Sequence, residues 1–119
     1  MIVEAWNTES FRQKLKESDQ TLVVEFYTDW CPSCRTLAVV LEQVAKDWES
    51  DTVSFGKVNV NVETELMREY EIRSVPTVMV LQNGVCQERS VGVIGKNKLI
   101  DMILANMKRS SKRGEKVLS

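Results

Sequence analysis

Histidine is absent from these 119 residues, and cysteine occurs only three times. That shortage bears first on metals. A structural zinc site takes four ligands, most often cysteine or histidine, and an iron–sulfur cluster takes four thiolates. Three thiols reach neither set without a carboxylate or a second chain. Long apolar runs are also missing: no stretch approaches the roughly 18 residues that a membrane-spanning helix needs. The opening MIVEAWNTES has neither the basic region nor the apolar run of a secretion signal. A cytoplasmic location with no membrane partner is the expectation that follows. A basic surplus is missing as well, with 16 Lys and Arg against 17 Asp and Glu. Five of the bases (Lys108, Arg109, Lys112, Arg113 and Lys116) lie beyond residue 107, beside one acid, Glu115. Residues 1–107 therefore hold 16 acids and 11 bases, a net charge of −5. Such a body argues against nucleic acid as a partner, because phosphates want a basic face. In a reducing compartment, a few cysteines speak for metal binding or catalysis more than for a disulfide framework.

What is present is one domain's length of chain whose apolar residues alternate between two periods. TLVVEFY (21–27) is an almost unbroken apolar run, the pattern of a parallel strand covered on both faces. From Pro32, residues Leu37, Val40, Leu41, Val44, Ala45 and Trp48 recur at helical spacing, which predicts a helix to about residue 49. TVSFGKVNV (52–60) reads as a strand and ETELMREY (63–70) as a short helix. TVMVLQ (77–82), the turn pair Asn83-Gly84 and VCQERSV (85–91) predict a hairpin. Beyond Gly95, Leu99, Ile100, Ile103, Leu104 and Met107 space as a helix again. Near the start, Asn7 or Thr8 can cap a helix that carries Phe11 and Leu15. Alternating strands and helices that end in a hairpin predict an α/β fold, a mixed sheet between helices. The domain is expected to span residues 1–107. Residues 108–119, KRSSKRGEKVLS, are polar and charged and are expected to form a disordered tail.

The stretch DWCPSCR (29–35) carries the chemistry. Pairs with the spacing of Cys31 and Cys34 hold zinc, hold iron–sulfur clusters, or carry electrons as a reversible disulfide; two packed core thiols are the plain alternative. Position weighs toward the disulfide. Cys31 falls where a strand and loop hand over to a helix, and the unpaired N–H groups and positive dipole end there favour an anion. The thiolate is the reactive form of cysteine, and such sites lower its pKa. Pro32 suits the first helical turn, where its missing N–H goes unused. Cys34 follows one turn further in, able to close a small ring with Cys31. Two other residues break their local pattern. Glu25, inside LVVEF, is costly if buried and charged; burial raises its pKa toward the range useful for proton transfer at neutral pH. Its other reading is an outward-facing strand residue. Pro76 interrupts a strand-like stretch, a defect unless it stands at the strand's start.

In order and separation, VVEFYTDWCPSC, KVNVNVETELMREYEIRSVPTVMVLQNG and SVG resemble the thioredoxin family, over residues 1 to about 107. The Trp-Cys-x-x-Cys element joined to Ile72-Arg73-Ser74-Val75-Pro76-Thr77 carries most of that resemblance. It implies the thioredoxin fold, a central mixed sheet of four or five strands flanked by helices on both faces. It also implies a thiol–disulfide oxidoreductase that reduces protein disulfides. Cys31 would attack a substrate disulfide and Cys34 would resolve the mixed disulfide, leaving the redox-active pair oxidised. Trp30 matches the family tryptophan beside the site, a substrate platform rather than a core aromatic. Glu25 matches a buried family aspartate that helps deprotonate the resolving thiol, with one methylene more. Lys57 matches a lysine near that carboxylate, although a solvated strand end explains it equally well. The Val75–Pro76 bond would be cis and face the cysteines, and Gly92 would line the same groove for an extended substrate segment. The resemblance calls for no bound cofactor and no metal. Its implied partners are disulfide-containing proteins and a thioredoxin-reductase-type electron donor, and a monomer is expected. A thioredoxin-fold binding module with a redox-inert pair is the other reading.

The departures are local. The insert between the cysteines is Pro-Ser where thioredoxins usually have Gly-Pro. Ser33 can turn its hydroxyl toward the Cys31 sulfur, and a potential less negative than the roughly −270 mV of thioredoxin is expected. Glu71 stands where the family often has a helix-ending glycine, at some cost if the cap is left-handed. Cys86, next to the hairpin turn, reads as a small strand residue, or as a site of glutathionylation or dimerisation.

Overall fold

The strong local signals become regular elements in the computed structural model. It describes residues 1–17 and 20–118, with side chains described for 1–17 and 20–107. The elements are β1 (Val3–Ala5), α1 (Thr8–Lys16), β2 (Thr21–Tyr27), α2 (Pro32–Asp47), β3 (Val53–Asn59), α3 (Thr64–Glu69), β4 (Thr77–Gln82), β5 (Val85–Val91) and α4 (Lys96–Leu118). The three-residue β1 is too short to announce itself by periodicity. Asn7 caps α1 through Ser10: Asn7 Oδ1 accepts the Ser10 N–H at 2.8 Å, and Ser10 Oγ accepts the Asn7 N–H at 3.0 Å. Asn83 (φ 53°) and Gly84 (φ 78°) make the two-residue turn between β4 and β5, both in the left-handed region that such tight hairpins demand. α4 continues beyond residue 107, the boundary expected for the domain; the side chains of the expected basic tail, 108–119, lie outside the described residues.

The strands form one sheet in the order β1-β3-β2-β4-β5. β1, β3 and β2 run parallel, and β4 and β5 continue the sheet antiparallel. The unbroken apolar run thus lies at the centre, where six of its seven residues are buried. Alternation then sorts side chains between two cores. Val23, Phe55, Val78 and Val80 meet Leu37, Leu41 and Val44 of α2 and Leu99 and Ile103 of α4. Leu22, Val24, Phe26, Val58, Met79 and Leu81 meet Phe11 of α1 and Leu66 and Tyr70 of the α3 segment. Phe11 packs edge-on against Tyr70, ring centres 5.7 Å apart. Trp6 lies flat on the backbone of Gly56, where no Cβ fits.

The same parity positions the site. Glu25 is two residues from Val23 and Lys57 two from Phe55, so both belong to the α2 side of the sheet. Register makes them direct neighbours, Glu25 beside Lys57 on one flank and Val78 on the other.

Candidate active site

β2 ends at Tyr27, and a short loop delivers Cys31 to the start of α2 with extended backbone (φ −123°, ψ 102°). Cys31 is the helix N-cap, and its sulfur does what a serine or aspartate oxygen does elsewhere: Sγ accepts the Cys34 N–H at 3.1 Å. Pro32 opens the helix. Cys31 and Cys34 are joined as a disulfide, with Cα atoms 5.2 Å apart. The two cysteines are both buried but not equally, Cys31 being 9% exposed and Cys34 2%. Cys31 is the outer of the two and Cys34 the inner. Two further groups surround the outer sulfur. Ser33 Oγ is 3.4 Å away, and the Val75 carbonyl oxygen is 4.0 Å away.

That carbonyl belongs to the cis Val75–Pro76 bond. Pro76 stands immediately before β4, so its missing N–H leaves no gap in the ladder. Its own carbonyl accepts the Gly92 N–H at 2.8 Å, and Thr77 Oγ1 donates to the Ser74 carbonyl at 2.7 Å. Gly92 adopts φ 93°, and a Cβ built on it meets nothing within 4 Å. Backbone conformation, not crowding, calls for glycine there. Trp30 is 90% exposed beside the disulfide, which excludes its reading as a core aromatic. Cys31, Cys34, Trp30, Val75, Pro76 and Gly92 therefore come together at one end of the sheet.

Glu25 and Lys57 lie one layer below. Glu25 is 1% exposed, which excludes the outward-facing reading. Its Oε2 has no hydrogen-bond partner among the described residues. Burial pushes its carboxyl up to about 7, against a smaller downward pull from Lys57 and a smaller upward push from Glu42. Lys57 is half-buried, with Nζ 5.6 Å from the centre of the Tyr27 ring. A cavity of about 210 Å³ joins this layer to the inner cysteine; Glu25, Lys57, Cys34, Tyr27, Arg35 and Ala38 line it. A cavity of that size, with the carboxyl and the ammonium in its wall, has room for water between carboxyl and thiol.

One device carried no sequence signal. Asn59, the last residue of β3, donates from Nδ2 to both Asp29 carboxylate oxygens at 3.2 Å. Arg35 Nη1 donates to the Asp29 carbonyl at 3.2 Å. Asp29 thereby ties the loop before Trp30 to the sheet and to α2. Cys86 stands apart on β5, a free, half-buried thiol against the second core.

A family model described as Thioredoxin matches residues 2–105. The chain is 39% identical over 98 residues to a thioredoxin of Rickettsia bellii, covering 82% of this chain and 92% of that protein. It is 39% identical over 90 residues to a thioredoxin of Mycoplasmoides gallisepticum, with coverages of 76% and 88%. The solved thioredoxin of Malassezia sympodialis superposes with a TM-score of 0.78 at 27% identity, over 88% of this chain and 90% of that one. Chloroplastic thioredoxin z shares the fold, with a TM-score of 0.78 at 24% identity over 92% and 96%.

Proposed function

The chain belongs to the thioredoxin family and is a thiol–disulfide oxidoreductase, and on that premise we propose how its residues divide the work. In the reduced protein, the Cys31 thiolate attacks one sulfur of a substrate disulfide. The Cys31–substrate bond forms as the substrate's own S–S bond breaks, and the departing sulfur takes a proton. Cys34, relieved of its proton, then attacks Cys31 Sγ; the substrate leaves as a dithiol and the Cys31–Cys34 disulfide closes. The observation that carries this reading is the inequality of the two cysteines, the outer at the helix mouth and the inner one turn behind.

Glu25 takes the Cys34 proton through the cavity between them. Its raised pKa suits that role, since a group near the working pH both accepts and returns a proton. Lys57 keeps the carboxyl from rising further. Trp30 supplies an apolar platform, while Val75, Pro76 and Gly92 offer backbone edges to an extended segment. Contacts of that kind read shape rather than sequence, which fits a protein with many disulfide-bearing substrates. A thioredoxin-reductase-type donor, a monomeric state and a cytoplasmic setting belong to the same proposal. They are supported by the relatives' shared name and by a pair that must be recharged as a dithiol.

Insulin reduction driven by dithiothreitol tests the division. Wild type is expected to precipitate insulin chains, and Cys31→Ser to abolish this. Cys34→Ser is expected to trap a mixed disulfide at Cys31. Activity that survived in both variants, or trapping at Cys86, would refute the assignment.

A further inference from the structure

Trp30 serves as a platform only if it stays in place, yet its side chain is 90% exposed and has little packing of its own to hold it. Its position therefore depends on the backbone that presents it. Two anchors meet on the residue just before. Asn59 Nδ2 donates to both carboxylate oxygens of Asp29 at 3.2 Å. Arg35 Nη1 donates at 3.2 Å to the Asp29 carbonyl, the oxygen of the peptide bond that joins Asp29 to Trp30. Asn59 is fixed from its other side as well. Its Oδ1 accepts the Asn61 N–H at 3.0 Å, and its carbonyl accepts the Glu63 N–H at 2.8 Å. Resting on the platform reading above, we propose that Asp29 and Asn59 form a latch that positions Trp30 for protein substrates.

Register brings the pair together. Asn59 is the partner of Tyr27 on the parallel strands β3 and β2, and Asp29 lies two residues further along the chain. The chemistry of the amide then fixes its orientation: its oxygen meets an N–H and its NH₂ meets an anion, so both ends are used and a flip would lose both. A hydrogen bond to a carboxylate is stronger than a neutral one, while the exposure of Asp29 lets water compete for it. A loop without the latch has to be ordered each time a substrate docks, and that ordering subtracts from binding. With the latch closed, the tryptophan is already in place. The loss therefore falls on binding, and on substrates large enough to cover Trp30. Cys31 is held separately, through the Cys34 N–H at 3.1 Å, so its own chemistry does not depend on the latch.

The test is a single turnover of the full chain. Fully reduced protein is mixed with excess insulin, or with hydroxyethyl disulfide as a small uncharged substrate. The mixture is quenched in acid and the remaining protein thiols are counted by alkylation. Each turnover oxidises one protein dithiol to its disulfide and reduces one substrate disulfide to two thiols. Asp29→Ala and Asn59→Asp are each expected to raise the half-saturating insulin concentration about threefold, the low end for one lost hydrogen bond. The rate with hydroxyethyl disulfide should stay near that of wild type. The double variant Asp29→Asn/Asn59→Asp exchanges donor and acceptor, and should recover most of the wild-type affinity. In a Trp30→Ala background, Asp29→Ala should add nothing, because the latch acts through the tryptophan. A pair with only a structural role would lower the melting temperature of each single variant and leave the insulin dependence in place. That result overturns the proposal. So does an exchanged pair no better than its single variants, or an Asp29→Ala effect that persists without Trp30. A wild-type protein that reduces neither substrate would instead overturn the dithiol reading on which the proposal stands.

Discussion

Glu25 and Lys57 are register partners on adjacent parallel strands, yet the lysine ammonium lies over the Tyr27 ring rather than in an ion pair with the carboxylate. A close pair would hold the carboxyl ionised and of little use as a proton acceptor at neutral pH. Set aside in this way, Lys57 tempers the effect of burial without cancelling it, and the carboxyl settles at about 7.

Stability should record that position. In the unfolded chain Glu25 titrates near 4.5, and in the folded one near 7. Between those values the native state holds a proton that the unfolded state has released. The stabilisation is therefore complete below about 4.5 and is lost as pH rises through about 7. At 1.36 kcal/mol per pKa unit, the loss is on the order of 3 kcal/mol. Glu25→Gln removes the titration, so the variant should lose less stability than wild type between pH 5 and pH 8, as read from urea midpoints. Equal losses in the two proteins would show that the carboxyl is not raised.

Kinetics should record it separately. A mixed disulfide formed at Cys31 is expected to resolve faster as pH rises through about 7, because Glu25 must be ionised to accept the Cys34 proton. Glu25→Gln should slow resolution by about 10²-fold, the lower end for loss of a general base, and erase the inflection. Lys57→Met should move the inflection upward, since the lysine pulls the carboxyl down. Stopped-flow release of a fluorescent peptide thiol reads both. An inflection that stays in place in Glu25→Gln would assign the proton to another group.

Trp30 should matter to substrates and hardly at all to folding. With 90% of its surface exposed, truncation leaves no cavity, and Trp30→Ala is expected to change stability by less than about 0.5 kcal/mol. The KM for insulin should rise several-fold, while a small disulfide that covers little of the platform is reduced at nearly the wild-type rate. A loss of equal size on both substrates would place the tryptophan in the chemistry instead.

Much of this was legible before any coordinates, for identifiable reasons. Strands and helices with strong periodicity declare themselves because one face must be buried. The anomalies did so because a buried carboxylate (Glu25) and a proline at a strand's start (Pro76) each need a local excuse. Relations that depend on distance in space were not legible. Nothing local in Asp29 or Asn59 says that they hold one another across 30 residues. Lys57 could not be assigned between ion pair and solvated end, because its partner ring, Tyr27, is reached only once the register of β2 and β3 is known. β1, at three residues, has no period to read.

The last prediction concerns the turn that leads into the Val75–Pro76 loop. Glu71 sits just past α3 with φ 52°, a conformation that costs a non-glycine residue about 1–2 kcal/mol. The chain accepts it because the turn closes the helix: Ile72 N–H reaches the Met67 carbonyl at 2.9 Å and Glu71 N–H the Arg68 carbonyl at 3.2 Å. From β5, Arg89 caps what remains, donating to the Tyr70 carbonyl at 2.8 Å and the Glu71 carbonyl at 3.4 Å. The Glu71 side chain offers little in return, since its ion pair with Arg73 spans 3.9 Å between groups that are 74% and 86% exposed. Glu71→Gly relieves the left-handed strain but gives the unfolded chain about 0.4–1 kcal/mol of extra freedom. A net gain of about 0.5–1 kcal/mol is therefore expected. Arg89→Ala should cost about 1 kcal/mol, and should cost the same in the Glu71→Gly background, because the carbonyls it caps belong to the backbone. Urea midpoints of the two single variants and the double variant decide. A Glu71→Gly protein less stable than wild type would mean that the glutamate side chain holds something besides Arg73.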